Sequence, residues 1–204
     1  MIRAFLAVEI DDEVRAGLSH VQQDLKRRLA LHPSKDTRMT WGQPNSFHLT
    51  IRFLGDTDEQ LIGHMRDAMA IVRQSHPTIQ IPLDQLQAFP NARQPRVLWV
   101  GPSEQWLQSA AATQLTAFHQ AIESRCRSFG FAPDDKPFMP HLTLARIKIG
   151  ERQVGQFLTQ SGVCACPLSL GKITVGALVL MKSELRPTGS LYTKLWEVGE
   201  GCHG

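Results

Sequence analysis

The chain reads as an α+β protein of two similar lobes related by a pseudo-two-fold axis. Each lobe is expected to be an antiparallel sheet backed by helices, with an active-site cleft between them. Three observations point there. The segment FHLTIRFLG at residues 47–55 has an echo in PHLTLAR at 140–146, so the pattern His-apolar-Thr-apolar occurs at His48 and again at His141. With only 8 histidines in 204 residues, random placement would give roughly 0.08 copies. The same order of elements (helix, motif strand, helix, two strands) accompanies each copy.

Taken in order, residues 2–9 (IRAFLAVE) form a short apolar run bounded by Asp11 and Asp12, which predicts a buried strand. Val14, Leu18, Val21, Leu25 and Leu29 fall at steps of three and four, a helical stripe over 12–31. Residues 32–46 contain Pro33, Gly42 and Pro44 and read as a long basic loop, either a lid or substrate contact or a mobile surface loop. Within it Trp41 offers a base-stacking surface or plain loop packing. The first motif strand is 47–54. A helix capped by Asp56 or Thr57 runs to about 74, with Leu61, Met65, Ala68 and Val72 in step. Residues 78–88 alternate as a strand whose Pro82 assigns it to an edge or bulge. Together with 95–101 it makes a hairpin turning at Pro90-Asn91. The second half continues with a helix at 104–129, the motif strand at 140–148, a helix at 151–161 and a strand at 167–182, open to a break at Gly171 and Gly176. A turn at Pro187-Thr188-Gly189 leads to a strand at 190–198. Trp99 and Trp196 hold comparable places near the end of each half. The expected organisation is one bilobal domain over 1–199, its second repeat starting at about 104, and a flexible tail at 200–204.

Apolar residues make up 42% and charged residues 20% of the chain, the balance of a globular protein. A net charge of +3 permits an anionic substrate without demanding nucleic acid. No apolar run approaches the ~20 residues of a membrane span, and the N-terminus reads as a strand rather than a leader. Cys126, Cys164, Cys166 and Cys202 lack metal or CxxC spacing and read as free thiols of a cytoplasmic protein.

Side chains alternate between the two faces of a strand, so in each motif His and Thr share one face while the apolar residues enter the core. Two such strands facing each other offer two imidazoles, one to accept and one to deliver a proton near neutral pH. They also offer two hydroxyls that can donate to phosphoryl oxygens. No cofactor or metal is required, and no carboxylate set presents itself as a metal site. Asp134-Asp135 before Lys136-Pro137 reads as a turn. Of the remaining histidines, His203 falls in the tail, and His20, His32, His64, His76 and His119 read as solvated or at the core edge.

These segments, with the opening IRAFLAVEI and the closing LMKSELRPTGSLYTKL, resemble the two-histidine phosphoesterase superfamily. Within it they look like the bacterial RNA 2',3'-cyclic phosphodiesterases, also called 2'-5' RNA ligases. The resemblance spans nearly the whole chain. It implies a metal-independent site of His48, Thr50, His141 and Thr143. His48 would protonate the departing O3' and His141 would activate water, leaving a 2'-phosphate. The family pattern has a phosphate-contacting Arg three residues after the second Thr, here Arg146. It has a base-stacking aromatic three after the first, here Phe53. Ideal alternation puts both on the wrong face, so they reach the site only if each strand bends, bulges or ends there. Arg52 departs from the family, which more often has a neutral residue there. Its parity suits the cleft, so it is expected to contact RNA phosphates.

The implied partner is RNA ending in a 2',3'-cyclic phosphate, tRNA-derived ends among them, or small cyclic nucleotides. The reverse reaction would join such an end to a 5'-hydroxyl. A monomer suffices, because one chain supplies both halves of the site. Two other readings stand beside this one. A non-catalytic RNA-end or cyclic-nucleotide binding module would favour fixed cations over titrating groups. A two-histidine metal hydrolase would need a third ligand.

Overall fold

A computed structural model describes residues 1–31, 37–134, 137–186 and 189–199. Ten strands and five helices succeed one another along the described chain. They are β1 (Ile2–Glu9), α1 (Asp12–Ala30), β2 (Arg38–Trp41), β3 (His48–Thr57), α2 (Leu61–Gln74), β4 (Ile79–Pro82), β5 (Gln85–Phe89) and β6 (Val97–Gly101), then α3 (Glu104–Leu107), α4 (Ala110–Ser128), β7 (Leu142–Ile149), α5 (Glu151–Ser161), β8 (Lys172–Val175), β9 (Ala177–Arg186) and β10 (Gly189–Gly199). One four-stranded sheet has the order β10-β9-β1-β3, a second has β2-β7-β6-β5, and β4-β8 is a separate ribbon. All pairings are antiparallel. The α+β class and the helix-backed antiparallel sheets are as the sequence predicts.

Both sheets mix strands from both halves of the chain. β1 pairs with β3 on one side and β9 on the other. β6 pairs with β7 on one side and β5 on the other. The unit β1-α1-β3-α2-β4-β5 is thus echoed by β6-α4-β7-α5-β8-β9, so the echo takes in β6, one strand upstream of the helix near 104. Each unit gives its last strand to the other unit's sheet. By this correspondence Trp99 and Trp196 are not counterparts. Trp99 lies on β6, whose equivalent is β1. Trp196 lies on β10 and donates its indole N–H to Ile62 O of α2 at 3.0 Å.

Several elements differ in detail from their expected form. The 32–46 segment is not all loop: residues 38–41 pair with β7, and Pro44–Ser46 form a 3₁₀ turn. Trp41 is partly buried against the core, with the Lys26 ammonium 5.1 Å above its ring. His32 to Asp36 lie outside the described residues. The 78–88 run splits between two sheets. Pro82 ends β4, which pairs with β8 alone, so no ladder needs its missing N–H. The 104–129 helix breaks because Ser109 caps a fresh start, its hydroxyl accepting from Ala112 N at 3.2 Å. α2 begins later than a cap at Asp56 or Thr57 would give, since both still belong to β3. The 167–182 run divides into β8 and β9, with breaks at Gly171 and Gly176. Pro187-Thr188 and the 200–204 tail, with Cys202, lie outside the described residues. Among the described residues no helix is long and apolar enough to cross a membrane.

The core lies between the sheets and their helices. Leu6, Val8, Leu49 and Ile51 enter it from one sheet, and Leu98, Val100, Leu142 and Leu144 from the other. Leu18 and Leu25 of α1 and Leu115, Phe118 and Ile122 of α4 cover them. The opposite face of the first sheet carries a separate small cluster, Phe5, Ala7, Val179 and Met181, with Tyr192 packed on it. That is the face that carries His48.

Candidate active site

The two motif strands share a feature that simple alternation does not predict. In β3, Phe53 opposes Phe5 and Arg52 opposes Leu6, yet Ala7 is opposed by Thr50, so Ile51 is an extra residue. In β7, Arg146 opposes Val97 and Ala145 opposes Leu98, yet Trp99 is opposed by Thr143, so Leu144 is extra. Each is a β-bulge, which inserts one residue and reverses the facing of the residues after it. The two bulges occupy the same motif position. Burial runs in the same order in both copies: half-buried His, buried Leu, half-buried Thr, two buried residues, then an exposed one.

The bulge therefore brings Phe53 to the face of His48 and Thr50, and Arg146 to the face of His141 and Thr143. The Phe5 ring touches both His48 and Phe53, with centroids 4.7 Å from the first and 5.9 Å from the second. The same reversal sends Arg52 the other way, which corrects the expectation that it contacts RNA. Arg52 is 6% exposed. Its Nε lies 2.6 Å from Glu123 Oε2 and its Nη1 3.7 Å from Asp134 Oδ2. The guanidinium also donates to Phe53 O at 2.7 Å and to Ala132 O. Its counterpart in the second strand is Ala145, fully buried.

Side chains from the equivalent helices α1 and α4 reach the bulges. Gln22 of α1, 3% exposed, donates from Nε2 to Leu144 O at 3.1 Å and to Gly42 O at 2.8 Å, while Gly42 N donates to Leu144 O at 2.9 Å. His119 of α4 hydrogen-bonds the backbone at Ile51. Its ring stacks on Phe138 at 4.3 Å. Neither residue stands out in the sequence. The signal was present in the spacing, since Leu18-Gln22-Leu25 and Leu115-His119-Ile122 put a polar residue at the same place in two apolar stripes.

Each catalytic candidate is held alike. His48 Nδ1 is 2.8 Å from Ser46 O, and His141 Nδ1 is 2.7 Å from Met139 O. A carbonyl oxygen only accepts, so each Nδ1 carries the proton and each Nε2 is left free. Aromatic rings wall both imidazoles. Tyr192 meets His48 edge-on at 5.1 Å, while Phe89 and Trp99 lie 5.1 and 5.7 Å from His141. Burial pushes the His48 pKa from 6.5 down to about 4, against its carbonyl hydrogen bond, and positive charge on His141 lowers it further. Burial also lowers the His141 pKa, the Met139 carbonyl opposes this, and Arg146 adds to the lowering. The two rings are thus near enough for charge on His141 to oppose charge on His48. Among the described residues no group of three His, Cys, Asp or Glu could hold a metal ion, and Cys126, Cys164 and Cys166 are free thiols.

Comparison with known proteins gives the family of the chain. The model of the LigT-like phosphoesterases matches residues 8–99 and 106–192, and the chain belongs to that family. A protein of Methanothermobacter thermautotrophicus named RNA 2',3'-cyclic phosphodiesterase is 27% identical over 194 residues, covering 95% of this chain and 96% of its own length. One of the same name from Aeropyrum pernix is 32% identical over 165 residues, covering 79% and 86%. A crystal structure of a Thermus thermophilus protein superposes with a TM-score of 0.65 at 26% identity over 97% of both chains. E. coli LigT complexed with 3'-AMP gives a TM-score of 0.70 at 22% identity, also over 97% of both, a likeness of fold.

The buried charges can be tested in two ways. Arg52→Ala leaves Glu123 without its buried partner and should cost about 3 kcal/mol in denaturant unfolding, while the salt dependence of KM stays that of the wild type. Lower stability together with a flattened salt dependence would return Arg52 to the substrate. His48 is held neutral in the fold, and the unfolded chain takes up its proton below pH 6.5. Its contribution is present above that pH and is lost as pH falls from 6.5 toward 4, amounting to about 3 kcal/mol. Unfolding midpoints of wild type and His48→Gln should converge over that window; parallel curves would refute it.

Proposed function

We propose that the cleft hydrolyses a terminal 2',3'-cyclic phosphate on RNA to a 2'-phosphomonoester, without a metal ion, through His48 and His141. The observation that carries this reading is the pair of imidazoles, each fixed through Nδ1–H to a carbonyl and each offering a free Nε2. His141 Nε2 takes a proton from water as the water oxygen bonds to phosphorus. The P–O3' bond breaks on the opposite side and O3' takes a proton from His48. Thr50 and Thr143 hydroxyls donate to the non-bridging oxygens, Arg146 offsets phosphoryl charge, and Phe53 stacks on the terminal base. The proton returns from His141 to His48 through solvent. Run backwards with a ribose 5'-hydroxyl in place of water, the same groups would form a 2'-5' bond. One chain supplies both histidines, so the monomer is the working unit. The names of the curated relatives support the substrate class.

Both histidines are neutral in the free protein near pH 7, so the acid gains its proton with the substrate. A phosphate anion between the rings favours imidazolium. Apparent pKa values in the kcat profile should therefore lie above those in kcat/KM, and kcat/KM should fall with rising pH on the alkaline side of its maximum. Coincident profiles would contradict this.

The decisive assay uses a short RNA ending in 2',3'-cyclic phosphate, with EDTA present. A 2'-phosphate product is expected, with turnover reduced at least ~100-fold in His48→Ala and in His141→Ala. Binding without turnover, unaffected by either substitution, would instead make the protein an RNA-end binding module. Loss of activity in EDTA would make it a metal hydrolase.

A further inference from the structure

The connection between β5 and β6 is a built feature beside the site. Asn91 Oδ1 accepts from the backbone N–H groups of Arg93 and Gln94, each at 3.0 Å. Arg96 N donates to Phe89 O at 2.7 Å and closes the hairpin. The loop lies directly on α5, because a Cβ on Gly155 would come within 2.0 Å of Arg93 O. Only glycine allows this approach.

Between this loop and the first turn of α5 is a cavity of about 800 Å³, within the size range of small-molecule sites. Phe89, Pro90 and Val97 give it an apolar wall, and Gln94, Arg96 and Arg152 give it donors. Glu151 also lines it, so one carboxylate faces two guanidinium groups and the balance is positive. Among the described residues neither Arg96 nor Arg152 has an ion-pair partner.

The cavity continues the cleft. Phe89 stacks on Trp99 at 4.7 Å and meets the His141 ring at 5.1 Å. Val97 opposes Arg146 in the ladder, so the cavity begins where the site's own phosphate-facing cation stands. Two guanidiniums over an apolar wall, opening from a catalytic cleft, match a ribose-phosphate unit with a base attached.

We propose that this cavity is a subsite for the penultimate nucleotide of the RNA strand, resting on the reading of the cleft as the site for its cyclic-phosphate end. The phosphodiester on the 5' side of the terminal nucleotide lies between Arg96 and Arg152. The penultimate base packs on Phe89, Pro90 and Val97 within reach of Gln94. The protein then prefers strand ends to free cyclic mononucleotides.

The test compares a mononucleoside 2',3'-cyclic phosphate with a dinucleotide carrying the same end, in the wild type, Arg96→Ala, Arg152→Ala and the double variant. Calorimetry of the matching mono- and dinucleotide 2'-phosphates runs alongside. The dinucleotide should have a higher kcat/KM and bind more tightly, by about tenfold for each guanidinium. The substitutions should erase that advantage and leave mononucleotide turnover unchanged. Equal handling of the two lengths by the wild type, or an equal loss for both in the variants, overturns the subsite. Arg-dependent preference for the dinucleotide in binding, with no turnover of either substrate, upholds the subsite and refutes the proposed reaction.

Discussion

One extra residue in each motif strand decides which side chains the site can use. A strand that alternated regularly would send Phe53 and Arg146 into the core side and bring Arg52 and Ala145 to the cleft. Ile51 and Leu144 reverse this. A bulge leaves backbone groups without ladder partners, and the protein meets that demand from its helices and from the residue that follows β2. Gln22 and Gly42 take up the Leu144 carbonyl, and His119 bonds at Ile51. The reversal also forces a guanidinium inward at position 52, where Glu123 and Asp134 compensate it. Those partners belong to α4 and to the segment leading to His141. The anchoring of the first bulge therefore also fixes the approach to the second histidine.

The aromatic walls have an electrostatic role. An imidazole in water is close to half charged near its ordinary pKa. Phe5 and Tyr192 around His48, and Phe89 and Trp99 around His141, exclude the solvent that would stabilise that charge. A carbonyl on each Nδ1 stabilises it in part. The burial thus disfavours the charged form of both rings.

Much of this was legible in the chain. The paired His-x-Thr copies located both motif strands and the face that each His shares with its Thr, and stripes such as Val14-Leu18-Leu25 located the helices. Local pattern carries no register, however. Whether a strand bulges depends on its neighbour, so parity counted along β3 gave Arg52 the wrong face and left Phe53 and Arg146 conditional. β2 was hidden because its four residues, RMTW, acquire strand character only by lying beside β7. The break at Ser109 was within reach, since serine there is an ordinary cap. Tyr192 lay in a segment that carried the resemblance, but its place against His48 depends on β10 reaching β9, a tertiary fact.

The exchange of last strands between the two sheets has a consequence for biosynthesis. β1 is made well before its second neighbour, β9, so that Ala7 waits for Val179. The aromatic wall around His48 waits for Tyr192. A growing polypeptide thus carries His48 in an incomplete sheet until β9 and β10 have been made. The sheet closes around His48 only when the β9-β10 hairpin docks on β1.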